Sequence, residues 1–433
     1  MPATFDILTR RRLPSEDQIN LWVHAGTGSD AAAGTEAEPL ASTEEALGRI
    51  PSLLWGRSAV VRYLSGHDET IARPLFFPPV VGGGQVDDVA FDGVDPAYDY
   101  VRNQITLLGA VDTVEDVNGT ITLADATSQL TVITDLAKAW TPGEHVGRSV
   151  INPGNIAEHG KIWANTATQI FLTSVGMSDG GVRIVERAAS LRVGDGAAFV
   201  SSGLLMSAST ASVSIIGINL IGAGAGPAID ITGPGKVALL LSEIRGGFQC
   251  RDGAGSISLD ACYLNGGSLG INAGTVAIRQ SLLAGMVANF HAVTGQYDIF
   301  GCRAQGCGPL GHGGTSTPHG GFRIDQCWIA DGTSHGISYG GGNRARVTNT
   351  RIDSCAGDAI NAAGTGKLDV INVAGSGSTG YGAWVDDGAN VTAAALTVAG
   401  ALGQVRLGGA GGATHTWADA PQVNTARLCR FGA

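Results

Sequence analysis

The sequence predicts an all-β chain, a right-handed parallel β-helix (solenoid) with an N-terminal cap and an inserted small β-module. Three observations carry this. A repeat of about 19 to 25 residues runs from Val213 to about Gly412. Within each copy, apolar residues alternate with period two, the spacing of a strand with one buried face. Gly-rich turns separate the apolar stretches, and Gly reaches 66 of 433 residues. A repeat of this length with strand spacing is a solenoid of stacked rungs.

The copies align in columns. The first column reads Val213, Val237, Ile257, Val276, Tyr297, Phe322, Ala345, Leu368 and Val391, and a second apolar column follows two residues later, from Ile215 to Ala393. Three residues further on comes a column of small residues, with Ser242, Cys262, Ser281, Cys302, Cys327 and Thr350 in sequence. Stacked rungs put like residues above one another about 4.8 Å apart, so nine copies make a rod of roughly 40 Å. The small column suits a tight interior corner. Cys302 and Cys327 fall in adjacent rungs and are expected as stacked free thiols, since seven cysteines in a chain of this size do not suggest a disulfide scaffold.

The remaining segments are read outward from the repeat. Residues 1–20 form an N-terminal arm containing Arg10-Arg11-Arg12, the only dense basic cluster. Residues 21–106 hold the cap and the first rungs: Leu21-Trp22-Val23, a Gly/Asp loop, a short helix opened by Ser42 or Thr43 with acidic residues in its first turn, then strands Ala59 to Leu64 and Ile105 to Leu108. Open solenoid ends expose core and unpaired strands, so a cap is required. Residues 107–180 break the repeat and read as the inserted module. The body runs over 181–412, and 413–433, with Trp417, Leu428 and Phe431, would close the C-terminal end.

The cap segment, a strand followed by Gly26-Thr27-Gly28-Ser29-Asp30, then Gly34 and Pro39-Leu40 leading into the helix, resembles the N-terminal lead-in of β-helical proteins of bacteriophage tails and tail-like particles. Similar lead-ins occur in secreted carbohydrate-active β-helices. The run from Ile162 to Ile170, with Asn165-Thr166-Ala167-Thr168 at its centre, is similar to small β-modules of phage structural proteins. The resemblance implies a tailspike- or baseplate-associated rod with a receptor-binding role, a homotrimer bound to other tail or baseplate proteins, with host surface polysaccharide as a contact.

Charge narrows the partners. A net charge of −11 disfavours nucleic acid and anionic membrane, which need a basic face. No apolar run reaches membrane-spanning length, and the start lacks the basic-then-apolar order of a secretion signal. The expected location is a virion or tail-like particle, made in the cytoplasm without a cleaved signal.

Candidate chemistry gathers around residues 298–353. Asp298, Arg323, Asp325, Trp328, Arg346, Arg351 and Asp353 read as outward residues of the first strand, where an aromatic ring and charged groups can hold sugar. A Gly-rich interruption carries His312 and His319, and His335 follows. With Cys307 they raise a metal site, but the spacings match no zinc pattern, so neither metal nor cofactor is expected. Gly311-His312-Gly313 and His335-Gly336 resemble a motif of polygalacturonase-type glycosidases. That family's paired Asp does not stand just upstream of these histidines, and the pair Asp386-Asp387 comes later. Lyase chemistry would instead need clustered carboxylates and an Arg base. A non-enzymatic glycan-contacting rod is therefore expected first, with a polysaccharide hydrolase or lyase and a non-catalytic glycan-binding module as the alternatives.

Overall fold

A computed structural model describes residues 18–51, 58–72, 75, 77, 105–153, 158–178, 181–193, 204–207, 212–222, 228–232, 236–250, 256–267, 269–271, 275–286, 291–292, 296–312, 321–340, 344–363, 366–385, 390–407 and 415–418. The chain is all-β, with parallel strands stacked into a solenoid and, among the described residues, a single helix at Thr43–Gly48.

Each rung shows its strands to three faces. On the first face the ladder passes through Gln18–Val23, Ser58–Tyr63, Ile105–Gly109, Ser212–Ile216, Lys236–Leu240, Ser256–Asp260, Thr275–Arg279, Gln296–Phe300 and Phe322–Asp325, all parallel. It continues through Ala345–Asp353, Lys367–Ser378 and Asn390–Gly400. His415–Ala418 adds one more strand, within the segment expected to close the end. The register matches the repeat columns: Val213 pairs with Val237, Val237 with Ile257, and Ile257 with Val276. Their side chains enter one continuous core with the second-face residues Leu220, Ile244, Leu264, Leu283 and Ile329.

The small column stands just past the corner between the first and second faces. Immediately before it the chain takes positive φ at Leu241, Ala261, Gln280, Gly301, Gln326 and Asn349. A non-glycine residue costs roughly 1–2 kcal/mol in this conformation. The next side chain offsets this by donating to the carbonyl two residues back. Ser242 Oγ reaches Leu240 O at 3.0 Å, Ser281 Oγ reaches Arg279 O at 2.6 Å, and Thr350 Oγ1 reaches Thr348 O at 2.7 Å. Cys262, Cys302 and Cys327 do the same with thiols, at 3.3, 3.3 and 3.2 Å. The second corner repeats the device after Gly306 and Ser354, through Cys307 and Cys355. The column is therefore small and also hydrogen-donating. Cys262, Cys302, Cys307, Cys327 and Cys355 are all free and buried.

The cap closes the N-terminal end. Leu40 N–H donates to Trp22 O and Trp22 N–H to Gly34 O, so the Gly34–Leu40 loop covers the outer edge of the first strand. Asp30 Oδ1 accepts from the Ala41 and Ser42 amides, and Ser42 caps the helix by accepting from Glu45 N–H. Gly28 is required because a Cβ there would lie 2.1 Å from Leu40 O. The helix buries Ala46 and Leu47 against the open end of the core.

The insertion replaces a corner. Leu108 pairs with Ile216, and Ala189 with Ile218, so everything between 109 and 189 occupies the place of the single residue Gly217. The neck is tied by Ala188 N–H to Ala110 O at 2.9 Å. Within it a seven-stranded sheet runs in the order Val111–Val117, Val182–Arg187, Ser149–Ile151, His159–Asn165, Gln169–Val175, Leu130–Thr134, Thr120–Leu123. Val182–Arg187, read from sequence as a resumed rung, pairs antiparallel with Val111–Val117, and the rungs take up again at Ala189–Val193. Apolar alternation looks the same in either setting. The two edge strands are joined only by Asn118 and Gly119, so the sheet curls around its own core of Trp140, Ile162, Ile170, Leu172 and Ile184.

The corner device yields a test. Ser281→Ala should cost about 2 kcal/mol, the loss of the two buried hydrogen bonds by which Ser281 Oγ donates to Arg279 O and accepts from the Cys262 amide, and Ser281→Cys distinctly less. Unfolding rates in guanidinium check both, and equal effects of the two changes would remove the donor role.

Candidate functional site

The module folds over the first corner and touches both neighbouring faces. Ile151, Val185 and Val111 pack on Ile216, Leu240, Leu241 and Ala261. Polar contacts surround this patch. Lys161, fully buried, donates from Nζ to Ser149 Oγ at 2.6 Å and to Leu241 O at 3.3 Å. Thr173 Oγ1 donates to Gln280 O. Arg187 donates to Glu243 Oε2 at 2.8 Å, and Arg245 to Glu243 Oε1 at 2.6 Å. Burial raises the Glu243 carboxyl, but the Arg245 bond and the Arg187 charge outweigh it and hold the group below its usual range.

On the first-face side the seam opens into a cleft of about 290 Å³ lined by His159 of the module and by Asp260, Arg279, Gln280, Asp298, Phe300 and Arg323 of the rod. Apart from Gln280, which stands at the corner, the rod residues come from two outward columns. One runs Asp260, Arg279, Phe300, Asp325, and the other Ala277, Asp298, Arg323, Arg346, Asp369. Opposite charges stand in adjacent rungs at Asp260–Arg279, Asp298–Arg323 and Arg346–Asp369, where they attract, while Arg323 and Arg346 are like neighbours.

Two of the charged groups are committed. His159 Nε2 lies 3.0 Å from Asp260 Oδ1, with both side chains largely buried. Arg323 Nη2 donates to Asp325 Oδ2 at 2.9 Å. Asp325 also accepts from Thr348 Oγ1 at 2.7 Å and Asn349 Nδ2 at 3.0 Å. Burial raises its carboxyl, but these three bonds more than compensate and keep it ionised. Two groups are uncommitted. Arg279 and Asp298 make no hydrogen bond or ion pair among the described residues, and they sit diagonally on adjacent rungs. Among the described residues the cleft thus offers an ordered frame in which Arg279 and Asp298 make no hydrogen bond, with Asp298 in the field of Arg323.

The sequence-predicted residues divide. Arg323 lines the cleft, Asp325 supports it, and Arg346 continues its column as an exposed residue. Trp328, Arg351 and Asp353 follow the positive-φ corners at Gln326 and Asn349, so they stand on the second face, not the first. There Trp328 is enclosed. Arg303 and Arg351, from the rungs on either side, hold their guanidinium carbons 4.6 and 4.7 Å from its ring centre. Trp163 of the module lies 5.3 Å away, and Trp328 Nε1 donates to Asp353 Oδ2 at 3.0 Å. Burial pulls the Arg303 guanidinium down to about 10. This aromatic–cation cluster fastens the module to the rod. His335 stands beyond the second corner, where its Nδ1 accepts from the Asp358 amide at 3.0 Å. His312 ends the third-face strand Leu310–His312, while its side chain, like all of His319, lies outside the described residues. His335 therefore does not join the cleft.

Sequence reasoning missed His159, Asp260, Arg279 and Phe300 as site residues. Asp260 and Arg279 were recoverable, since each lies one alternation past an inward Leu259 or Ile278. His159 was not, because 101 residues separate it from Asp260. No group of three or more metal-ligating side chains occurs among the described residues.

No known family profile matches the chain, and no curated protein matches it. Among solved structures it is similar to a "Glycoside hydrolase" at 10% identity, TM-score 0.31, covering 94% of this chain and 97% of that one. It is similar to a GH136 lacto-N-biosidase from Eubacterium ramulus at 9% identity, TM-score 0.33, covering 92% and 68%. The tailspike protein gp49 from Pseudomonas phage LKA1 gives 10% identity, TM-score 0.25, and coverage of 84% and 70%. Likenesses of this size carry no inference about activity.

The seam carries a pH signature. Burial foremost, then the Arg187 charge, push the Lys161 amine well below its usual 10.5, against the opposing pull of Cys262 and Glu243. The folded state then binds fewer protons than the unfolded one, so stability rises with pH toward the ordinary lysine value, by up to about 1.4 kcal/mol per pH unit. Lys161→Met should lose this slope. Denaturant midpoints from about pH 8 to about pH 10 check it, and parallel wild-type and variant curves would sink it.

Proposed function

We propose that this chain is a structural and receptor-binding rod of a phage tail or phage-tail-like particle, which holds host surface glycan in the cleft between module and first face. The observation that carries the reading is the uncommitted Arg279–Asp298 pair on the wall of an open, polar cleft. A sugar presents vicinal hydroxyls that both donate and accept. A free carboxylate and a free guanidinium serve both roles, and the half-exposed Phe300 beside them offers an apolar edge to a ring face. The committed pairs keep the frame rigid, so little ordering cost falls on binding. The net charge of −11 agrees with a glycan partner better than with nucleic acid or anionic lipid.

The setting in a particle rests on the cap motif Gly26-Thr27-Gly28-Ser29-Asp30 and on the module, which presents a surface away from the rod with Val114, Leu123 and Leu136 exposed. A homotrimer packed beside other tail or baseplate proteins is part of the same proposal.

An array of O-antigen and capsular oligosaccharides tests the binding, with native mass by light scattering on the same sample. Asp298→Asn and Arg279→Ala should each weaken the strongest interaction about ten- to a hundred-fold, the ~1.5–3 kcal/mol of a charged hydrogen bond. A trimer that binds without releasing product fits the adhesive rod. Product release would move the chain to the polysaccharide-degrading alternative, with Asp260 and Asp298 as the carboxylates to replace. No binding at all by a monomer would overturn the proposal.

A further inference from the structure

A second cleft of about 320 Å³ lies at the N-terminal end of the same face, on the other side of the module. Trp22 and Arg62 form its wall, Glu36 and Asp112 stand at its rim, and the backbone of Gly109–Val111, where the module begins, makes its floor. Trp22 and Arg62 are neighbours in adjacent rungs, with the guanidinium carbon 5.5 Å from the indole ring centre. Arg62 Nε donates to Asn20 Oδ1 at 3.0 Å, which fixes it in place. Asp112 accepts from Ser65 Oγ at 3.2 Å, while Glu36 makes no hydrogen bond or ion pair among the described residues. Nothing in the seam cleft uses any of these residues.

The two clefts share one outward column. From Trp22 it steps through Arg62, Leu108, Ile216 and Leu240 to Asp260. These five steps span roughly 24 Å at about 4.8 Å each. Leu108, Ile216 and Leu240 are buried in the patch beneath the module, so the column is covered in the middle and open at both ends. The module therefore separates two polar openings on one rigid rod.

We propose that the N-terminal cleft is a second saccharide-binding site, so that the rod takes a repeating polysaccharide at two points on either side of the module. The inference rests on the glycan reading of the seam cleft and extends it. An indole wall suits the C–H face of a sugar ring. Free carboxylate oxygens accept its hydroxyl protons, and a fixed guanidinium donates back. A neutral or weakly charged sugar fits better than an anionic one, since two carboxylates at the rim face one guanidinium. Two linked sites convert the second binding event into an intramolecular one, so a polymer with repeated units gains avidity on the order of 10²–10⁴ over either site alone.

Calorimetry on the full chain tests this, with the strongest oligosaccharide from the array as probe and its parent polysaccharide as the long ligand. The wild type should bind two short oligosaccharides per chain. Trp22→Ala should bind one and lose the excess affinity for the polymer. Because Trp22→Ala also loosens the cap, the double change Glu36→Gln with Asp112→Asn provides a milder variant with the same expected loss. Asp298→Asn should weaken the other site and leave this one. A wild-type stoichiometry of one that the N-terminal variants do not alter and Asp298→Asn does would overturn the second site and leave the seam cleft standing. Two sites unaffected by either N-terminal variant would overturn it as well. Failure of the probe to bind by any route would remove the glycan reading itself.

Discussion

The structure depends on the corner between the first and second faces. There the chain must reverse its inward side within one residue, and it does so by taking positive φ. The strand-end carbonyl there accepts a backbone N–H from the neighbouring rung, as Leu240 O does from Gly217 and Arg279 O from Ala261. The next side chain adds a second donor to that carbonyl from a hydroxyl or a thiol, at Ser242, Cys262, Ser281, Cys302, Cys327 and Thr350. Each such bond contributes about 0.5–1.5 kcal/mol, and Ser242 and Ser281 Oγ also accept the Ile218 and Cys262 amides. Repeated over the rungs, that is comparable with the margin by which domains are stable.

The same corner allows the module to exist. An insertion at a strand would break two ladders, but at a corner only one residue's conformation is displaced. Gly217 marks the standard solution, and the stretch from 110 to 188 marks the alternative, closed at its neck by one backbone hydrogen bond. Once placed there, the module must lie across both faces beside the corner. Its apolar patch covers Ile216, Leu240, Leu241 and Ala261, and its rim meets the rod through buried polar pairs. The clefts on either side of it follow from this position. They are the places where a curved module and a flat sheet cannot both stay in contact.

Much of the fold was legible in particular residues. The columns from Val213 to Val391 and from Ile215 to Ala393 are the ladders seen in register, because stacking in a parallel solenoid is a property of repeat position alone. The small column was read as a steric requirement, and its Ser, Cys and Thr content carried a second message about hydrogen bonding. The helix at Thr43–Gly48 was visible in its first-turn acids and in Ser42 or Thr43 as its cap, of which the structure uses Ser42. The candidate site was legible in one half. Arg323 and Asp298 could be placed on an outward face by alternation. Trp328 and Arg351 could not, because the conformation at Gln326 and Asn349 decides on which face they emerge, and neither residue is a glycine that would signal it.

The sequence by itself determined the rung, its inward and outward sides, and the charges displayed along it, since these depend on period-two alternation and on the stacking of equivalent positions. Only the tertiary structure decided which outward residues form a site. That choice rests on where the module docks. The docking brings His159 to Asp260 and Trp163 to Trp328, and leaves Arg279 and Asp298 open. Contacts between segments so far apart along the chain leave no trace in local spacing, because each partner satisfies the strand pattern of its own segment equally well with or without the other.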